Sequence, residues 1–234
     1  MSESQPTIKT PRNPATLDLL RAIAERRSLR SYQDRPVARE LLGQLAVSAR
    51  WAPSNWNSQP WRFSFFDSKE DIERLSDVMD AKAQEALLRS VDPHLTHFVE
   101  HSISYFHVVR NAPVVVAMFY KPFAPRMEAV ISDFFADPLC GAGWNPNLVS
   151  FGMAAQNMLL AAHAMGLAAC FHSGPVPFLN GAIHEMLGLH PKLVFGGLIT
   201  LGWPTPGESP ASGAKRKNLE MFLHFSSLGE SGPR

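Results

Sequence analysis

The chain has 234 residues, of which 45% are hydrophobic and 18% charged, and its formal net charge is +1 at pH 7. The hydrophobic share suffices for a sizeable core, whereas the low charged share indicates that a subunit or a ligand covers part of the surface. A charge near zero argues against a general nucleic-acid binder, which needs an excess of lysine and arginine. The two cysteines, Cys140 and Cys170, have no metal-ligand spacing and favour a reducing compartment, the cytoplasm.

The first part of the chain predicts a leader followed by two helices. Residues 1–14 are polar, lack an apolar signal core and are expected to be disordered. Residues 15–228 are interpreted as a single domain, because no repeat or linker-like stretch divides them. A first helix is predicted over residues 15–27, with Asn13 as its cap and Pro14 in its first turn. A second helix, over residues 39–52, follows from a 3.6-residue apolar stripe.

The remaining predicted helices and strands do not alternate in the regular way of a doubly wound fold. They predict an α+β fold in which helices surround a sheet of about four strands. Residues 121–146, rich in proline, glycine and aromatic residues, are expected to form a long irregular region. Gln156 and Asn157 lie near the centre of an apolar helix and argue against a membrane span. In chain order the predicted elements are strand 61–67, helix 68–88, helix 98–110, strand 112–120, helix 150–167, strand 168–174 and strand 193–204.

The stretch "ERRSLRSY", residues 25–32, crowds three arginines and a serine into five positions. Guanidinium groups and hydroxyls both donate hydrogen bonds to phosphate oxygens, which suggests an anion site. Cations also gather at helix C-termini, where they interact favourably with the helix dipole. A second basic cluster, residues 215–217, either joins the same anion or forms a solvated face. The clusters alone leave these alternatives open.

The stretch "APSNWNSQPWRF", residues 52–63, loads a short connection with amides and tryptophans. Asn55, Asn57 and Gln59 offer the donors and acceptors that the edge of a heterocycle requires. Trp56 and Trp61 add flat apolar surface, although Trp61 is equally explained as a core residue. The stretch therefore indicates a binding loop that leads into the first strand.

In chain order, five motifs resemble the nitroreductase family of FMN enzymes: "RRSLRSY", "APSNWNSQPWRF", "NAPVVV", "AAQNMLLAAHAMGL" and "GGLITLGW". The resemblance covers the chain from about residue 17 to residue 226, and the pairing of the first two motifs is its most specific part. It implies a nitroreductase-like α+β fold with a mixed central sheet flanked by helices. It also implies an intertwined homodimer that binds two FMN molecules at the subunit interface, each contacted by both chains.

The resemblance also implies which residues bind FMN. The ribityl phosphate and the pyrimidine side of the ring are assigned to Arg26, Arg27, Ser28 and Arg30. The partner subunit's loop is expected to contribute Pro53, Ser54, Asn55 and Asn57. A loop near the reactive flavin nitrogen is expected to contain His172, Ser173, Gly174 and Pro175. The remaining implied cofactor-binding residues are Gln156 and the phosphate-binding pair Arg216 and Lys217.

The function implied is an FMN-dependent oxidoreductase that passes two electrons from NADH or NADPH to a nitroaromatic or quinone by a ping-pong mechanism. The flavin carries that chemistry, so no catalytic side chain is named. Two alternatives stay open: a flavin-cleaving, dehalogenating or heterocycle-dehydrogenating relative on the same scaffold, and a non-catalytic FMN-binding protein. The expected partners are a second copy of this chain and a small-molecule substrate. Binding to nucleic acid or to a membrane is not expected.

Four features separate this chain from its relatives or from other classes. Trp56 occupies a position that is usually small in the family, and "FHSGPV" lacks the glutamate that many members carry in this loop. No G-x-G-x-x-G follows a predicted strand, which argues against a separate dinucleotide domain. His94, His97 and His101 crowd one helical region, but without a carboxylate cluster they do not predict a metal site.

Overall fold

The computed structural model describes residues 14–89, 91–123, 145–207, 216–218 and 221–223, and of residues 14–18 only the backbone. Outside these residues lie residues 1–13 of the expected leader with the cap Asn13, residues 124–144 of the irregular region, and Cys140. Residue 14, the last of the expected leader, begins the first helix. The helices are α1 (Pro14–Glu25), α2 (Arg39–Arg50), α3 (Lys69–Arg89), α4 (Pro93–Ile103), α5 (Phe106–Arg110), α6 (Pro146–Ala164), α7 (Val176–Leu179) and α8 (Ala182–Leu187). The strands are β1 (Trp61–Phe66), β2 (Val114–Tyr120), β3 (Ala168–His172) and β4 (Val194–Gly202).

The four strands form one sheet in the order β1-β2-β4-β3, which confirms the α+β class. All three pairings are antiparallel, so the described part of the expected mixed sheet contains no parallel pair. The central strand β2 is buried along its whole length. A strand with both faces covered reads as a continuous apolar run, which explains "VVVAMFY".

The sheet separates two apolar clusters, and β2 contributes to both. Val114, Val116 and Met118 face a cluster with α2 and α6, while the alternate residues of β2 face a cluster with α3, α5 and α7. This alternation follows from the two-residue period of side chains along a strand. The layers are therefore helix, sheet and helix, and both faces of the sheet are covered.

The predicted helix 98–110 is wrong in its boundaries, because two helices, α4 and α5, occupy this region. α4 begins earlier, at Pro93, where the Asp92 carboxylate accepts a hydrogen bond from the His94 N–H. The break between the helices falls at Ser104, whose hydroxyl donates to the His101 carbonyl at 2.6 Å. Serine side chains compete in this way for backbone groups and disfavour helix continuation.

The long apolar helix α6 also begins earlier than predicted, at Pro146 instead of residue 150. Asn145 caps it, since its side chain accepts a hydrogen bond from Leu148 N at 3.1 Å, and proline suits the first helical position. Gln156, an expected cofactor residue, is exposed on this helix. Within the described ranges no helix is long and apolar enough to span a bilayer.

The segment after α1 is fixed to the end of β4. The Gln33 N–H donates to the Trp203 carbonyl at 2.8 Å, and its side-chain amide donates to the Pro204 carbonyl at 2.7 Å. The hydroxyls of Ser31 and Thr205 lie 2.7 Å apart. Residues separated by about 170 positions in the sequence thus hold the arginine-rich segment in place.

Candidate functional site

The arginines that follow α1 have different environments. Arg27 Nη1 donates to the carbonyls of Ala24 at 2.6 Å and Arg26 at 2.8 Å, so this side chain caps the helix end. Arg26 is half-buried, and its Nη1 is sealed from solvent without a hydrogen-bond partner among the described residues. A buried cationic donor that stays unpaired is costly, and an anion from outside the chain would satisfy it. The helix-end interpretation therefore accounts for Arg27 and not for Arg26.

The arginine-rich segment lies against β3, as the buried thiol of Cys170 shows. Burial raises the pKa of this thiol, while the nearby Arg30, Ser28 and Arg26 act in the opposite direction. Burial is the largest of these influences, so the thiol stays protonated at neutral pH and is a poor nucleophile. The contacts place three of the expected phosphate-binding residues behind the middle of β3.

A cavity of about 390 Å³ opens beyond the end of β3. Five of the expected residues line it, namely Arg30 and the four residues of the expected flavin loop, His172, Ser173, Gly174 and Pro175. The opposite wall comes from α4 and its C-terminal end, with Phe98, His101, Ser102 and Tyr105. The Arg30 guanidinium lies 5.5 Å from the centre of the Tyr105 ring, a distance at which a cation is attracted to an aromatic face. One side of the cavity is therefore polar and cationic, and the other is largely aromatic.

His172 is a buried polar residue of this cavity, with 8% of its surface exposed. Its Nε2 lies 2.9 Å from the hydroxyl oxygen of Thr200, a buried residue of β4. Burial, and next the positive charge of Arg30, lower the pKa of His172 to about 4. At neutral pH the imidazole is therefore uncharged and offers one donor and one acceptor nitrogen.

The loop before β1 lines a different cavity, of about 460 Å³. Pro53, Ser54 and Asn55 form one side, and the first turns of α6 form the other, through residues that include Leu148, Val149 and Met153. Asn57 is exposed and lines neither of these two cavities. Among the described residues, neither of these two cavities is therefore shared by the loop and the arginine-rich segment. A joint site would require the loop of a second subunit, as the resemblance implies.

Two hydrogen bonds hold the loop before β1 in an unusual backbone conformation. The Asn55 N–H donates to the Ser150 hydroxyl at 3.1 Å, and the Gln59 N–H donates to the Ser54 hydroxyl at 3.0 Å. Trp56, Asn57 and Gln59 have φ values of +50°, +52° and +44°. Each left-handed non-glycine residue costs about 1–2 kcal/mol, and such strain concentrates at functional sites. The strain supports a binding role for the loop.

The two tryptophans of the loop have different surroundings. Trp56 is 78% exposed, and its ring centre lies 6.0 Å from that of Phe123. Trp61, the first residue of β1, packs against the core cluster that includes α2 and α6. The interpretation of Trp61 as a core residue is thus confirmed, which leaves Trp56 as the tryptophan available to a ligand or a partner.

The other expected site residues lie outside both cavities. Gln156, Arg216 and Lys217 are exposed and line neither of them. The histidines of α4 do not form a metal site, since the described residues contain no group of three or more suitable ligands. One of them, His101, instead lines the first cavity and lies 5.3 Å from the Tyr105 ring.

The cavity wall from α4 and the anchors of the loop on α6 were not predicted from the sequence. Phe98, His101 and Ser102 are three and four residues apart within α4, a spacing that places side chains on one helix face and was available as a signal. Asn147 and Ser150 are both buried polar residues, with 5% and 3% of their surfaces exposed. Polar residues at the start of an otherwise apolar helix are a second usable signal.

Comparisons with known proteins agree on one family. The family model described as "Nitroreductase family" matches residues 23–203. A protein of Methanothermobacter thermautotrophicus, named "Putative NADH dehydrogenase/NAD(P)H nitroreductase", is 27% identical over 88% of each chain. A Desulfovibrio desulfuricans structure, described as a "putative nitroreductase in complex with fmn", is 27% identical with a TM-score of 0.62, over 93% of this chain and 99% of that one.

A second solved structure shares the fold at lower sequence identity. It is described as a BluB-like flavoprotein from Clostridium difficile 630, and it is 23% identical with a TM-score of 0.74. The match covers 89% of this chain and 99% of that chain. The family match spans most of the chain, including the arginine-rich segment, the loop before β1 and the end of β3. The chain therefore belongs to the nitroreductase family.

Proposed function

We propose that this chain is an NAD(P)H-dependent FMN oxidoreductase that passes two electrons from NADH or NADPH to a small electron-poor acceptor. A nitroaromatic or a quinone is the proposed acceptor, and donor and acceptor use one site in turn by a ping-pong mechanism. The relative from Methanothermobacter carries NAD(P)H nitroreductase in its name, and the Desulfovibrio structure is described as a complex with FMN. Both are consistent with the proposal.

The single observation that carries the proposal is the sealed, unpaired Nη1 of Arg26. A phosphate monoester supplies the oxygen acceptor that this donor lacks, once the half-buried Arg26 side chain turns Nη1 outward to meet it. The cavity with Arg30 and His172 adds a cation, a neutral acceptor and an aromatic wall, which suit a planar heterocycle with carbonyl and N–H groups. The residues present therefore fit a phosphorylated flavin.

In this assignment the chain's own residues bind and orient the cofactor. Arg26 and Ser28 bind its phosphate, Arg30 lies beside its ring, and Pro53, Ser54, Asn55 and Asn57 of the partner subunit close the site. FMN supplies the electron-transfer chemistry, and the surrounding donors stabilise negative charge on its ring. No acid–base side chain is then obligatory, in line with an uncharged His172 at neutral pH.

The absorption spectrum of the purified protein tests the cofactor. We expect a yellow protein whose released chromophore is FMN and not FAD, because the arginine-rich segment suits a terminal phosphate. Steady-state oxidation of NADH and NADPH, with a nitroaromatic and a quinone as acceptors, then tests turnover. A colourless protein that cannot be reconstituted with FMN contradicts the proposal. An FMN-loaded protein without turnover identifies a flavin-binding protein instead.

We further propose a homodimer, because apolar side chains of α2 and α6 are exposed on one chain. Trp51 is 76% exposed at the end of α2, and Val149 is 59% exposed in the first turn of α6. α2 and α6 pack against each other, and Val47, Leu148 and Met153 of the same two helices are exposed apolar residues as well. Obligate interfaces bury about 2,000 Å² or more and are apolar, as these side chains are.

Replacement of Val149 by aspartate is expected to dissociate the dimer, because it introduces an unpaired charge into a buried apolar interface. Sedimentation at micromolar concentration measures the result, with the parent expected to be a dimer. The matched control is Leu88→Asp, because Leu88 is an exposed apolar residue of α3 on a different part of the molecule. A parent that sediments as a stable FMN-loaded monomer refutes the dimer.

A further inference from the structure

Three polar side chains connect the arginine-rich segment to the end of β3. The Tyr32 hydroxyl donates to the Leu29 carbonyl at 3.1 Å. Its oxygen lies 2.6 Å from the hydroxyl oxygen of Thr200, and that oxygen lies 2.9 Å from Nε2 of His172. The chain of contacts crosses the sheet from the segment after α1, over β4, to the last residue of β3.

The donor and acceptor in each of these contacts follow from the number of protons that the three side chains carry. The 2.6 Å contact by itself allows either hydroxyl to donate, but when Tyr32 gives its one hydroxyl proton to the Leu29 carbonyl, the proton between Tyr32 and Thr200 comes from Thr200. The threonine then has no proton left, and the 2.9 Å contact is a hydrogen bond only if His172 Nε2 is protonated. A competing contact from Thr200 to the Cys170 carbonyl is longer, at 3.4 Å. The Nε2–H tautomer is therefore the one in which all three shorter contacts are hydrogen bonds at the same time.

A neutral imidazole protonated at Nε2 has an unprotonated Nδ1 that accepts hydrogen bonds. No hydrogen bond to this Nδ1 is found among the described residues, nor does it belong to the buried unpaired atoms of that part of the chain. It therefore reaches open space, and the open space beside His172 is the 390 Å³ cavity. The lowered pKa, about 4, agrees with an unprotonated Nδ1 at neutral pH.

We infer that His172 Nδ1 accepts a hydrogen bond from a ring N–H of the bound flavin, and that Thr200 and Tyr32 are positioning residues that fix its tautomer. This inference rests on the proposed function. It gives the cavity an acceptor beside the donor Arg30, so that two neighbouring groups of a heterocycle, a carbonyl and an N–H, are bound together. The opposite tautomer would present a donor to the ligand instead, and the N–H would lose its partner.

The tautomer is measured by ¹⁵N NMR of the protein labelled at its histidines, at pH 7 and without FMN. The resonances that disappear in His172→Phe identify His172 among the nine histidines. We expect a protonated Nε2 and an unprotonated Nδ1 in the parent and in Thr200→Ser, which keeps the hydroxyl. Thr200→Val removes it and should yield a mixture of both tautomers. A protonated Nδ1 in the parent overturns the inference.

The second readout is FMN affinity in both redox states, obtained from titration with oxidised FMN and from the midpoint potential. In His172→Phe we expect the Kd of at least one state to rise about two- to tenfold, the usual effect of one neutral hydrogen bond. Thr200→Val should change the same Kd in the same direction but less, and Thr200→Ser should restore it. If the ring N–H is present in both oxidised and reduced FMN, the Kd of both redox states should rise. If the N–H forms only on reduction, only the Kd of reduced FMN should rise.

The outcomes separate the inference from the proposed function. If the parent binds FMN and His172→Phe binds both redox states as tightly, the inference is wrong and the proposed function stands. If the parent binds no FMN, both are wrong. The NMR measurement does not require the variant to keep a native cavity, because it reports on the parent and on the conservative Thr200 pair.

Discussion

Replacing Arg26 with alanine is expected to weaken FMN binding by about ten- to hundredfold, the usual worth of hydrogen bonds to a charged group. The unliganded variant should be at least as stable as the parent, because Arg26 Nη1 is sealed and unpaired without a ligand. Once saturated with FMN, it should turn over at nearly the parent rate, because a contact made equally in all states leaves the chemical step unchanged. Flavin titration, thermal unfolding and steady-state kinetics measure these three quantities.

Arg27→Ala is the matched control for this prediction. Arg27 Nη1 donates to two backbone carbonyls at the end of α1, so its loss should cost about 0.5–1.5 kcal/mol per net hydrogen bond in stability and little in FMN affinity. The two neighbouring arginines are therefore expected to give opposite patterns. Equal FMN affinity in Arg26→Ala and the parent would show that the sealed guanidinium does not bind the phosphate.

Gly197→Ala in β4 is expected to destabilise the protein by about 2–4 kcal/mol, from overpacking together with backbone strain. Gly197 has φ +151°, and a Cβ there would lie 2.6 Å from Phe171 Cζ and 2.8 Å from the His172 carbonyl oxygen. The carbonyl is backbone and cannot rotate away, so the end of β3 must move. Chemical denaturation measures the free energy of unfolding.

Gly43→Ala in α2 provides the control of opposite sign. Within one chain nothing lies within 4 Å of a Cβ at this exposed helical position, so alanine should stabilise the helix of the single chain by about 0.5–1 kcal/mol. In Gly197→Ala the displaced His172 should also weaken FMN binding, whereas in Gly43→Ala the affinity should be unchanged. Unfolding free energies that are the same in the two variants would contradict the tight approach of β3 and β4.

Much of the fold follows from local patterns in the sequence. The apolar run that becomes β2 and the stripe that becomes α2 have the periods of the structures they form, and both were predicted within two residues. The break between α4 and α5 was not predicted, because Ser102 and Ser104 turn their hydroxyls onto backbone carbonyls of the preceding turn. Such side-chain competition depends on a rotamer, which the apolar pattern does not record.

The candidate site was predictable in its parts and not in its arrangement. The arginine-rich segment and the loop before β1 were found from residue types, yet the different environments of Arg26 and Arg27 depend on where α1 ends. The partnership of His172 with Thr200 joins positions 28 residues apart on neighbouring strands. A single sequence contains no register for such a pair, and the register emerges only when the sheet forms.

The attachment of residues 31–33 to residues 203–205 has a consequence for biosynthesis. During translation the arginine-rich segment emerges early, but the groups that fix it are made about 170 residues later. β4 is also the strand that joins β2 to β3, so the sheet cannot be completed before it is available. Non-local contacts of this kind form late and slow the folding of a nascent chain. A ribosome-stalled chain that lacks β4 is therefore expected not to retain FMN.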